Sequence, residues 1–414
     1  MKVFKFGGAS VRNALAIRQV AGIIQSYTNE RMLVVVSAMG KTTNALERVL
    51  AEFQAGKDFQ KGLHLIQLFH EEILRELFHP DHVVWKKVEE AINRIPEALT
   101  NNMGYDQLYD QVISIGEVVS SIIVSEFLLA ENLLVQWVDA RNYIHTDATY
   151  REGNVDWEKT ERLISTLEPL LQKKILVTQG FIGCSPDGFT TTLGREGSDY
   201  TAAIFASCLS ATSVTIWKDV PGVMNADPKR LPHAVVFDEL PFREAAEMTY
   251  YGASVIHPKT IKPLANKNIP LLVKNFDDPS LPGTIIHETK VSHLPPLIVF
   301  KDNQCLVSCH VTDYTFISEQ QLSFIIRAVA ELDIKINVMQ NSAISFSFCI
   351  DFREDKVLKL IERISNQFEV YYNTGLTLIT VKNYDATTSE HYRKLPGVLL
   401  EQSSRSTLQV LVKN

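Results

Sequence analysis

The first part of the chain alternates between stretches typical of buried strands and one stretch typical of a helix. Residues 3–6 are a short apolar run, residues 14–24 place apolar side chains on one helical face, and residues 32–36 are apolar throughout. A strand without polar alternation is expected where helices cover both faces of a parallel sheet. Strand, helix and strand in this order form a right-handed βαβ unit. The sequence therefore predicts an α/β fold with a mainly parallel sheet.

After a helical interruption, the same rhythm continues to about residue 290. Residues 44–99 have a helical pattern and no strand-like run. The elements predicted next are helices at 114–130 and 199–209 and strands at 133–139, 174–178, 214–217, 271–274 and 284–286. The segment 292–296 ends in two prolines and breaks the pattern. We place a domain boundary there, after a first domain at 1–290.

A second domain at 297–414 has a different order of elements. Its strands are predicted at 306–311, 334–339, 342–350 and 369–372, and its helices at 319–332 and 355–368. This βαββαβ order is the ferredoxin-like motif of α+β domains. Three more strands are predicted at 376–381, 398–401 and 407–412, with too few residues between them for a full set of helices. We interpret this last part as a second, truncated copy that lacks its helices.

Charge and composition argue against a nucleic-acid-binding protein. The 414 residues include 41 Lys and Arg against 48 Asp and Glu, a formal net charge of −7, and no basic run stands out. A surface that neutralises phosphates needs clustered positive charge. With 45% hydrophobic and 21% charged residues, the chain can bury large cores. A soluble folded protein is expected.

The sequence favours a cytoplasmic location without a membrane partner. The five cysteines contain no CxxC pair, and we interpret them as reduced, buried thiols and not as metal ligands. Gly7 and Gly8 interrupt the N-terminal segment before an apolar region of secretory length develops, so no signal peptide is expected. The longest lipid-like run, residues 118–130, is short for a membrane span and contains Glu126.

Glycines follow the first predicted strand at the point where a helix begins. Lys5 lies at the carboxyl end of the strand, Gly7 and Gly8 form a turn, and Ser10 is expected to cap the helix. The glycines let backbone N–H groups approach an anion at the positive end of the helix, and Lys5 adds a point charge. A structural turn with a surface lysine is the alternative interpretation.

Short polar side chains follow the second strand. A Gly-Lys-Thr sequence starts at Gly40, but a phosphate-binding P-loop would need a glycine where Val35 stands. We therefore exclude the P-loop. The hydroxyl and amide groups of Ser37, Thr43 and Asn44 suit a small polar substrate, while helix capping by Thr43 or Asn44 is the alternative.

Two later loops carry charged groups. Ser198 and Asp199 precede an apolar helical stretch, so Ser198 is expected to cap the helix, and Arg195 can form a bidentate pair with a carboxylate. Capping alone is the alternative explanation for the Ser-Asp pair. Lys218 and Asp219 follow a strand in a loop that suits a nucleotide and its magnesium, for which a plain Pro-Gly turn is the alternative.

One histidine segment imitates a metal site. Residues 70–74 resemble the helix of a zinc protease, but Leu74 occupies the place of the second histidine. We interpret this segment as a solvated helix face. No metal site made of the chain's own residues is predicted.

Four segments, in this order, resemble the aspartate kinases of the amino-acid-kinase family: residues 5–10, 34–44, 114–117 and 180–203, the last continuing through 217–258. The similarity covers residues 1–290, and its most specific part is the block 191–202. It implies a three-layer αβα amino-acid-kinase fold followed by a C-terminal ACT region at 297–414. It also implies a monofunctional kinase, because the length leaves no room for the dehydrogenase fused to some members.

The resemblance implies transfer of the γ-phosphoryl group of ATP, with Mg²⁺, to the side-chain carboxylate of L-aspartate. The product would be 4-phospho-L-aspartate, and the reaction would be the first step towards lysine, threonine and methionine. Lys5 matches the lysine that neutralises the transferring phosphoryl group, and Asp199 matches the aspartate that orients this lysine. The positions that match aspartate-binding residues are Ser37, Thr43, Glu117, Arg195 and Ser198. The positions that fall in segments holding ATP and magnesium are Gly7, Gly8, Ser10, Lys218, Asp219, Met224 and Lys229.

Four positions depart from the family pattern. Ala9 replaces a threonine near the phosphates, and Glu196 stands beside Arg195 where many members have glycine. Met224 takes a position that is often tyrosine, and Ser254 one that is often lysine. These departures lie near the expected nucleotide site and in the loop that is expected to bind aspartate. ATP is still the expected phosphoryl donor.

The ACT region implies dimerisation and an amino-acid effector. Family members bind an end-product amino acid between two ACT units, and sheet edges of two chains pair in a homodimer. Here the second unit is truncated, and the Gly-Phe-Leu run of the effector helix is absent between Thr315 and Leu322. Inhibition by lysine or threonine is therefore left open, whereas dimerisation is expected.

Two other functions are consistent with the same sequence. A non-catalytic amino-acid sensor would explain Ala9, Glu196 and Ser254, although Lys5 and Asp199 are retained. A sister amino-acid kinase with another carboxylate substrate would keep the fold and change the acceptor. Formation of an acyl phosphate from aspartate would identify an aspartate kinase and would exclude both alternatives.

Overall fold

The computed structural model describes residues 1–27, 29–253, 256–291, 293–312 and 315–413. The chain separates by its internal packing into two units. The first comprises Met1–Val223, Val236–Ala246 and Val255–Val291, and the second comprises Met224–Val235, Glu247–Ser254 and Ser292–Asn414. Each unit thus combines segments that are distant in sequence.

The first unit is built on a mainly parallel sheet. Its strands are β1 (Lys2–Phe6), β2 (Met32–Val36), β3 (Val135–Trp137), β4 (Ile175–Gln179), β5 (Ile182–Cys184), β6 (Thr190–Thr192), β7 (Ser213–Lys218), β8 (Glu239–Pro241), β9 (Leu271–Asn275) and β10 (Thr284–His287). Eight of them form a sheet in the order β3-β4-β2-β1-β7-β9-β10-β8, and β5 pairs with β6 separately. Only the β9–β10 pair in this sheet is antiparallel among the described residues.

Helices cover this sheet on both faces. They are α1 (Ala14–Gln25), α2 (Thr42–Gln54), α3 (Gln60–Leu77), α4 (Val84–Leu99), α5 (Tyr105–Ala130), α6 (Trp157–Ser165), α7 (Glu168–Leu171), α8 (Gly197–Cys208), α9 (Phe242–Tyr251) and α10 (Pro258–Asn266). Every residue of β2 is buried, which requires cover on both sides of the sheet. The predicted three-layer αβα architecture and the helical interruption, now α2 to α4, are confirmed.

Helix α5 runs through the core of the first unit. It is longer than the predicted helix at 114–130, and it is the one helix in the described part of the chain that is long and apolar enough to cross a membrane. Of its most apolar window, 83% is buried inside the protein. It packs against α4 and β4, so its apolar character is accounted for by core packing.

The helix caps predicted from sequence are wrong, because the helices begin elsewhere. Ser10 lies in a 3₁₀ turn before α1, and the side chain of Asn13 caps that helix. Helices α2 and α8 each begin one residue before Thr43 and Ser198, respectively. Thr43, Asn44 and Ser198 therefore lie inside first turns and not at cap positions.

His70 on α3 is buried, with 1% of its surface exposed, so the solvated face predicted for residues 70–74 is wrong at this position. Its Nδ1 lies 2.7 Å from the carbonyl oxygen of Ile66, and its buried Nε2 has no hydrogen-bond partner in the described part of the chain. Burial lowers the pKa of His70 to about 4. The ring is therefore neutral near pH 7.

Acid is expected to destabilise the fold through His70. The unfolded chain protonates this imidazole below about pH 6.5, and the folded protein does so only near pH 4, so stability falls as the pH drops between these values. Between pH 7 and pH 4.5 the unfolding free energy should fall by about 2 kcal/mol through this group. Urea titrations at both pH values should show this loss reduced in His70→Leu.

The matched control is His64→Gln, because His64 is exposed on the same helix. This variant should keep the full acid sensitivity of the natural chain. An equal loss of stability in His70→Leu and in the natural chain would refute the assignment to His70.

The second unit contains an antiparallel sheet. Its elements are β11 (Leu297–Val311), α11 (Glu319–Glu331), β12 (Ile336–Asn341), β13 (Ser345–Asp351), α12 (Glu354–Ile364), β14 (Phe368–Lys382), α13 (Ala386–Arg393), β15 (Val398–Ser403) and β16 (Thr407–Lys413). The strand order is β12-β13-β11-β14-β16-β15, and all neighbours are antiparallel. The sequence β11 to β14 reproduces the predicted βαββαβ order, which confirms an α+β, ferredoxin-like ACT region.

Two long strands of the second unit connect its complete βαββαβ motif to the truncated copy of that motif. β11 and β14 each have 15 residues, where the sequence predicts separate strands at 369–372 and 376–381. Their pairing shifts register around Gln304, and Gly375 has a φ of 68°. Bulges and a left-handed glycine bend a strand without ending it. The glycine is therefore a bend inside one strand and not a boundary.

The truncated copy contains a helix that the sequence did not predict. It consists of the end of β14 followed by α13, β15 and β16. The carboxylate of Asp385 caps α13 by accepting a hydrogen bond from the Thr388 N–H at 2.7 Å. The prediction that this copy lacks its helices is thus wrong for residues 386–393, a segment too short and too polar to show apolar periodicity.

Candidate active site

Two lysines lie at the carboxyl ends of neighbouring parallel strands. Lys5 belongs to β1 and Lys218 ends β7, and these strands pair with Phe6 opposite Trp217. Carboxyl ends of parallel strands meet at one edge of a sheet, so both side chains come to the same place. Asp199 in the first turn of α8 lies between them. Its Oδ1 is 2.6 Å from the Lys5 Nζ, and its Oδ2 is 3.7 Å from the Lys218 Nζ.

The carboxylate of Asp199 stays ionised in this buried position, where 4% of its side chain is exposed. Burial alone would raise the pKa of Asp199, but Lys5 and Lys218 outweigh burial and hold this pKa below its usual value. A carboxylate in the first turn also interacts favourably with the helix dipole. The three side chains form a charged cluster, which we call the lysine–aspartate cluster.

Glycines let two loops pack backbone against backbone beside this cluster. A side-chain carbon at Gly8 would lie 2.9 Å from the carbonyl oxygens of Ala38 and Gly40, and the Gly40 N–H donates to the Gly8 carbonyl at 3.0 Å. At Gly7 such a carbon would lie 3.4 Å from the Lys5 Nζ. A larger residue at Gly8 would push the loops after β1 and β2 apart, so this close approach depends on glycine.

The predicted serine and threonine positions have different surroundings. Ser10 is buried, and its hydroxyl donates to the Trp217 carbonyl at 3.4 Å, which ties the turn after β1 to the end of β7. Ser37 is half-buried directly after β2, and its carbonyl accepts a hydrogen bond from the Ser120 hydroxyl at 2.6 Å. Thr43 is half-buried in the first turn of α2. Of these side chains, Ser37 and Thr43 are partly accessible.

Glu117 on α5 is a buried carboxyl group near the cluster. Gly116 lets α5 approach the loop after β2, because a side-chain carbon there would be 3.2 Å from Ala38 and Thr42. Burial raises the pKa of Glu117 to about 8, although Lys5 and the Ala38 N–H act in the opposite direction. Its Oε2 is buried without a hydrogen-bond partner among the described residues. An unfilled acceptor in this position suits a cationic group of a ligand.

The loop before α8 is held by an acidic residue that departs from the family pattern. Glu196 has a φ of 54°, which is uncommon for a residue other than glycine, and its Oε2 accepts a hydrogen bond from the His257 N–H at 2.8 Å. Its negative charge is thus directed to the start of α10, while Arg195 is exposed. At Gly180 a side-chain carbon would lie 2.4 Å from the Cβ of Ser198, so glycine is required where α8 meets the end of β4.

Asp110 supports this loop and was missed in the sequence. Its buried carboxylate accepts hydrogen bonds from the N–H groups of Arg151 and Thr192, at 2.9 and 2.8 Å, and from the Thr192 hydroxyl at 2.7 Å. These bonds fix β6, and with it the start of the Arg195 loop, to α5. Asp110 lies two helical turns before Glu117 on the same face. That spacing was the available signal, but the predicted helix started only at residue 114.

The other predicted nucleotide residues are distributed over both units. Asp219 is exposed directly after β7 in the first unit. Met224, which is half-buried, and Lys229, which is exposed, belong to the second unit, where the Lys229 N–H donates to Asp227 at 2.9 Å. Ser254 lies outside the described residues.

This edge of the sheet is suited to a phosphorylated ligand. Two ammonium groups and a glycine turn at the start of a helical segment are groups that bind phosphate oxygens. Over the described ranges, no group of three or more His, Cys, Asp or Glu side chains could hold a metal ion. Mg²⁺ is commonly bound by one or two carboxylates together with substrate phosphates. The exposed Asp219 next to Lys218 fits that limited role.

Comparison with known proteins identifies the family. Residues 1–275 match the model of the amino acid kinase family. The lysine-sensitive aspartokinase 3 of Escherichia coli (strain K12) is 34% identical over 356 residues, which cover 84% of this chain and 78% of that protein. The bifunctional aspartokinase/homoserine dehydrogenase of Buchnera aphidicola is 27% identical over 411 residues, but this chain spans only 50% of its length.

The solved structures agree with the sequence comparison. The crystal structure of E. coli aspartokinase III in complex with aspartate and ADP matches with a TM-score of 0.85 and 31% identity, covering 100% of this chain and 96% of that one. The similarity therefore includes both units. This chain belongs to the amino acid kinase family, and within it to the aspartate kinases.

Proposed function

We propose that this chain transfers the γ-phosphoryl group of ATP to the side-chain carboxylate of L-aspartate. The product is 4-phospho-L-aspartate, the first intermediate towards lysine, threonine and methionine. The observation that carries the proposal is the lysine–aspartate cluster at the carboxyl edge of the sheet, with Glu117 beside it. The related E. coli enzyme, solved with aspartate and ADP, supports the same two ligands here.

The chemistry requires positioning and charge neutralisation. The acceptor carboxylate is already ionised near pH 7, so no general base has to remove a proton. A carboxylate oxygen of aspartate forms a bond to the γ-phosphorus while the bond to the ADP oxygen breaks. Lys5 neutralises charge on the phosphoryl oxygens, and Asp199 fixes the position of its ammonium group. Mg²⁺, when bound, adds positive charge at the phosphates.

We assign different residues to the nucleotide and to aspartate. The backbone of the Gly7–Gly8 turn contacts the phosphates, with Ser10 holding the turn. Lys218, Asp219, Met224 and Lys229 serve the nucleotide and its magnesium. Arg195 forms a bidentate pair with the α-carboxylate of aspartate, and Glu117 accepts its ammonium group. The hydroxyls that complete the aspartate site are those of Ser37, Thr43 and Ser198.

Glu117 is expected to make aspartate binding depend on pH. Its carboxyl group is largely protonated below about pH 8, and only the ionised form attracts an ammonium group. The KM for aspartate should therefore fall as the pH rises from 6.5 to 8, by up to about tenfold per pH unit. In Glu117→Gln the KM for aspartate should be high and independent of pH in this range. Initial rates at saturating ATP give the KM for aspartate of both the natural enzyme and Glu117→Gln at each pH.

The KM for ATP serves as the internal control, because Glu117 is assigned to the other substrate. It should change little with pH and between the two proteins. A Glu117→Gln enzyme with the same slope as the natural enzyme would show that another group titrates.

The proposed reaction is tested by trapping the acyl phosphate with hydroxylamine. ATP, Mg²⁺ and L-aspartate should give a coloured hydroxamate, and other amino acids and carboxylates should give little. Clear product from a different carboxylate, with none from aspartate, would reassign the chain to a sister kinase. Calorimetric binding of amino acids without any turnover would support a non-catalytic sensor.

We further propose that residues 1–290 form the catalytic domain and that residues 297–414 form an ACT region that dimerises and binds an amino-acid effector. Exposed apolar side chains in this region support the pairing of two copies: Phe316, Met339, Ile344, Tyr371 and Tyr372. Light scattering should give the mass of a dimer at micromolar concentration. The hydroxamate assay with added lysine and threonine tests the effector, and we expect the enzyme in the cytoplasm.

A further inference from the structure

We propose that Glu196 is a positioning residue of the aspartate site. Its hydrogen bond to the start of α10 holds the Arg195 loop in the conformation that binds the α-carboxylate of aspartate, and it keeps the Glu196 carboxylate away from Arg195. This inference rests on the proposed kinase function. It follows from the backbone conformation of Glu196 and from the partner that its side chain has in the structure.

Glu196 is the residue at which the Arg195 loop turns into α8. Its φ of 54° lies in the left-handed region, and Gly194, two residues earlier, has a φ of 77°. The Gly197 N–H donates to the Gly194 carbonyl at 3.0 Å, and the Asp199 N–H donates to the Glu196 carbonyl at 3.0 Å. The conformation at Glu196 therefore sets the direction of Arg195 on one side and of the first turn of α8 on the other.

The side chain of Glu196 holds this conformation through a distant contact. A residue other than glycine adopts a left-handed conformation at an energetic cost, which persists only where the surrounding structure fixes it. The Oε2 atom of Glu196 accepts a hydrogen bond at 2.8 Å from the N–H of His257, a residue 61 positions later. We call this contact the Glu196–His257 hydrogen bond. It offsets the backbone strain and ties the Arg195 loop to α10.

The start of α10 is a fixed point to which the loop is attached. His257 is the N-cap of α10, and its Nδ1 accepts a hydrogen bond from the Lys259 N–H at 3.2 Å. Burial holds the pKa of His257 below its usual value, so the ring is neutral near pH 7 and can accept this bond. Ile256, the preceding residue, is buried, and α10 packs against α8. The Glu196–His257 hydrogen bond thus links the loop before α8 to a helix that packs on α8.

The same bond keeps two opposite charges apart. Arg195 is exposed and directly precedes Glu196, so a free Glu196 carboxylate would compete with the α-carboxylate of aspartate for the guanidinium group. When it accepts the His257 N–H, this carboxylate lies at the positive end of α10, where the helix dipole compensates its charge. The guanidinium group of Arg195 is then left for the substrate.

Three substitutions separate the hydrogen bond from the charge. Glu196→Gln keeps an oxygen that can accept the His257 N–H and removes the charge. Glu196→Ala removes both. Glu196→Asp keeps the charge, but its side chain is one carbon shorter and does not reach the His257 N–H. Because aspartate residues adopt the left-handed region more readily than most others, backbone strain cannot explain a loss in Glu196→Asp.

The expected effects appear in the KM for aspartate. This KM should rise about tenfold in Glu196→Ala and further in Glu196→Asp, whose free carboxylate competes for Arg195, and it should stay within about threefold of the natural value in Glu196→Gln. The kcat and the KM for ATP should change by less than about twofold, since bound aspartate itself fixes Arg195. Hydrogen–deuterium exchange at the His257 amide should be faster in Glu196→Ala and Glu196→Asp and unchanged in Glu196→Gln.

Glu152→Gln is the matched control. Glu152 is exposed, and its carboxylate forms an ion pair with the Lys259 ammonium group at 3.2 Å, at the same end of α10. The substitution removes one negative charge from this region and leaves the Glu196–His257 hydrogen bond in place. The KM for aspartate and the exchange at the His257 amide should both be unchanged.

Two outcomes would overturn the role of Glu196. One is an unchanged KM for aspartate in Glu196→Ala and Glu196→Asp. The other is an equal loss in kcat and in the KM of both substrates, which would mean a contact that only stabilises the fold. Hydroxamate formation by the natural enzyme is measured first, on aspartate and on other carboxylates. If another amino acid is the acceptor, the aspartate assignment fails and the same variants are compared on that acceptor. No turnover with any acceptor would overturn both proposals.

Discussion

Lys5→Met is expected to lower kcat about a thousandfold while the protein remains folded. The Lys5 Nζ lies 2.6 Å from Asp199 at the carboxyl end of β1, where we place the γ-phosphoryl group. Its charge matters most as negative charge builds up on the phosphoryl oxygens, so the loss should appear in kcat more than in KM. Methionine keeps the length and much of the volume of the side chain in this mostly buried position.

Steady-state kinetics and calorimetry with ADP test this prediction together. The Kd for ADP should change by less than tenfold, and the circular dichroism spectrum should be unchanged. If Lys5→Met retains more than a tenth of the natural kcat, Lys5 does not act on the transferring group. If kcat is normal and only the KM for ATP rises, its role is binding.

Asp199→Asn is expected to lower kcat about a hundredfold and to destabilise the first unit. The change removes the only negative charge assigned to the lysine–aspartate cluster and leaves two ammonium groups close together in a site that is 4% to 21% exposed. Removing one partner of a buried ion pair costs about 3 kcal/mol, because the remaining charge loses its compensation. Activity falls because neither lysine keeps its position.

The double variant Lys5→Met/Asp199→Asn distinguishes positioning from direct action. If Asp199 acts through the lysines, its effect on kcat should be much smaller in the Lys5→Met background than in the natural enzyme. Urea unfolding should show the same pattern, since the double variant has one fewer uncompensated charge than Asp199→Asn. Fully additive losses in kcat would contradict the assigned role of Asp199.

The parallel sheet could be predicted from sequence because its evidence is local. The apolar run at residues 32–36 and the glycines after Phe6 predict β2 and the first βα turn without any long-range information. The position of Lys5 at the end of a parallel strand made it a candidate for anion binding. The roles of Lys5 and Asp199 in phosphoryl transfer were implied only by the resemblance to the aspartate kinases. Their actual pairing is a contact across 194 positions, and only the folded chain shows it.

Features fixed by tertiary contacts escaped the sequence patterns. Asp110 is a buried acceptor for the backbone of a distant strand, so nothing in its neighbours indicates its partners. Glu196 is adjacent to Arg195 in sequence, yet its carboxylate binds the His257 N–H at the start of another helix. Gly375 marks a bend inside β14, where local propensity favours a strand end. For Asp110 and Glu196 the decisive neighbour is far away along the chain.

The assignment as an aspartate kinase is tested most directly by identifying which carbon atom is activated. The reaction with ATP, Mg²⁺ and L-aspartate is quenched with sodium borohydride, which reduces an acyl phosphate to an alcohol, and the products are separated by chromatography and mass spectrometry. Phosphorylation of the side-chain carboxylate should give homoserine in the natural enzyme and almost none in Lys5→Met. Absence of homoserine, or formation of 3-amino-4-hydroxybutanoate from an activated α-carboxylate, would contradict it.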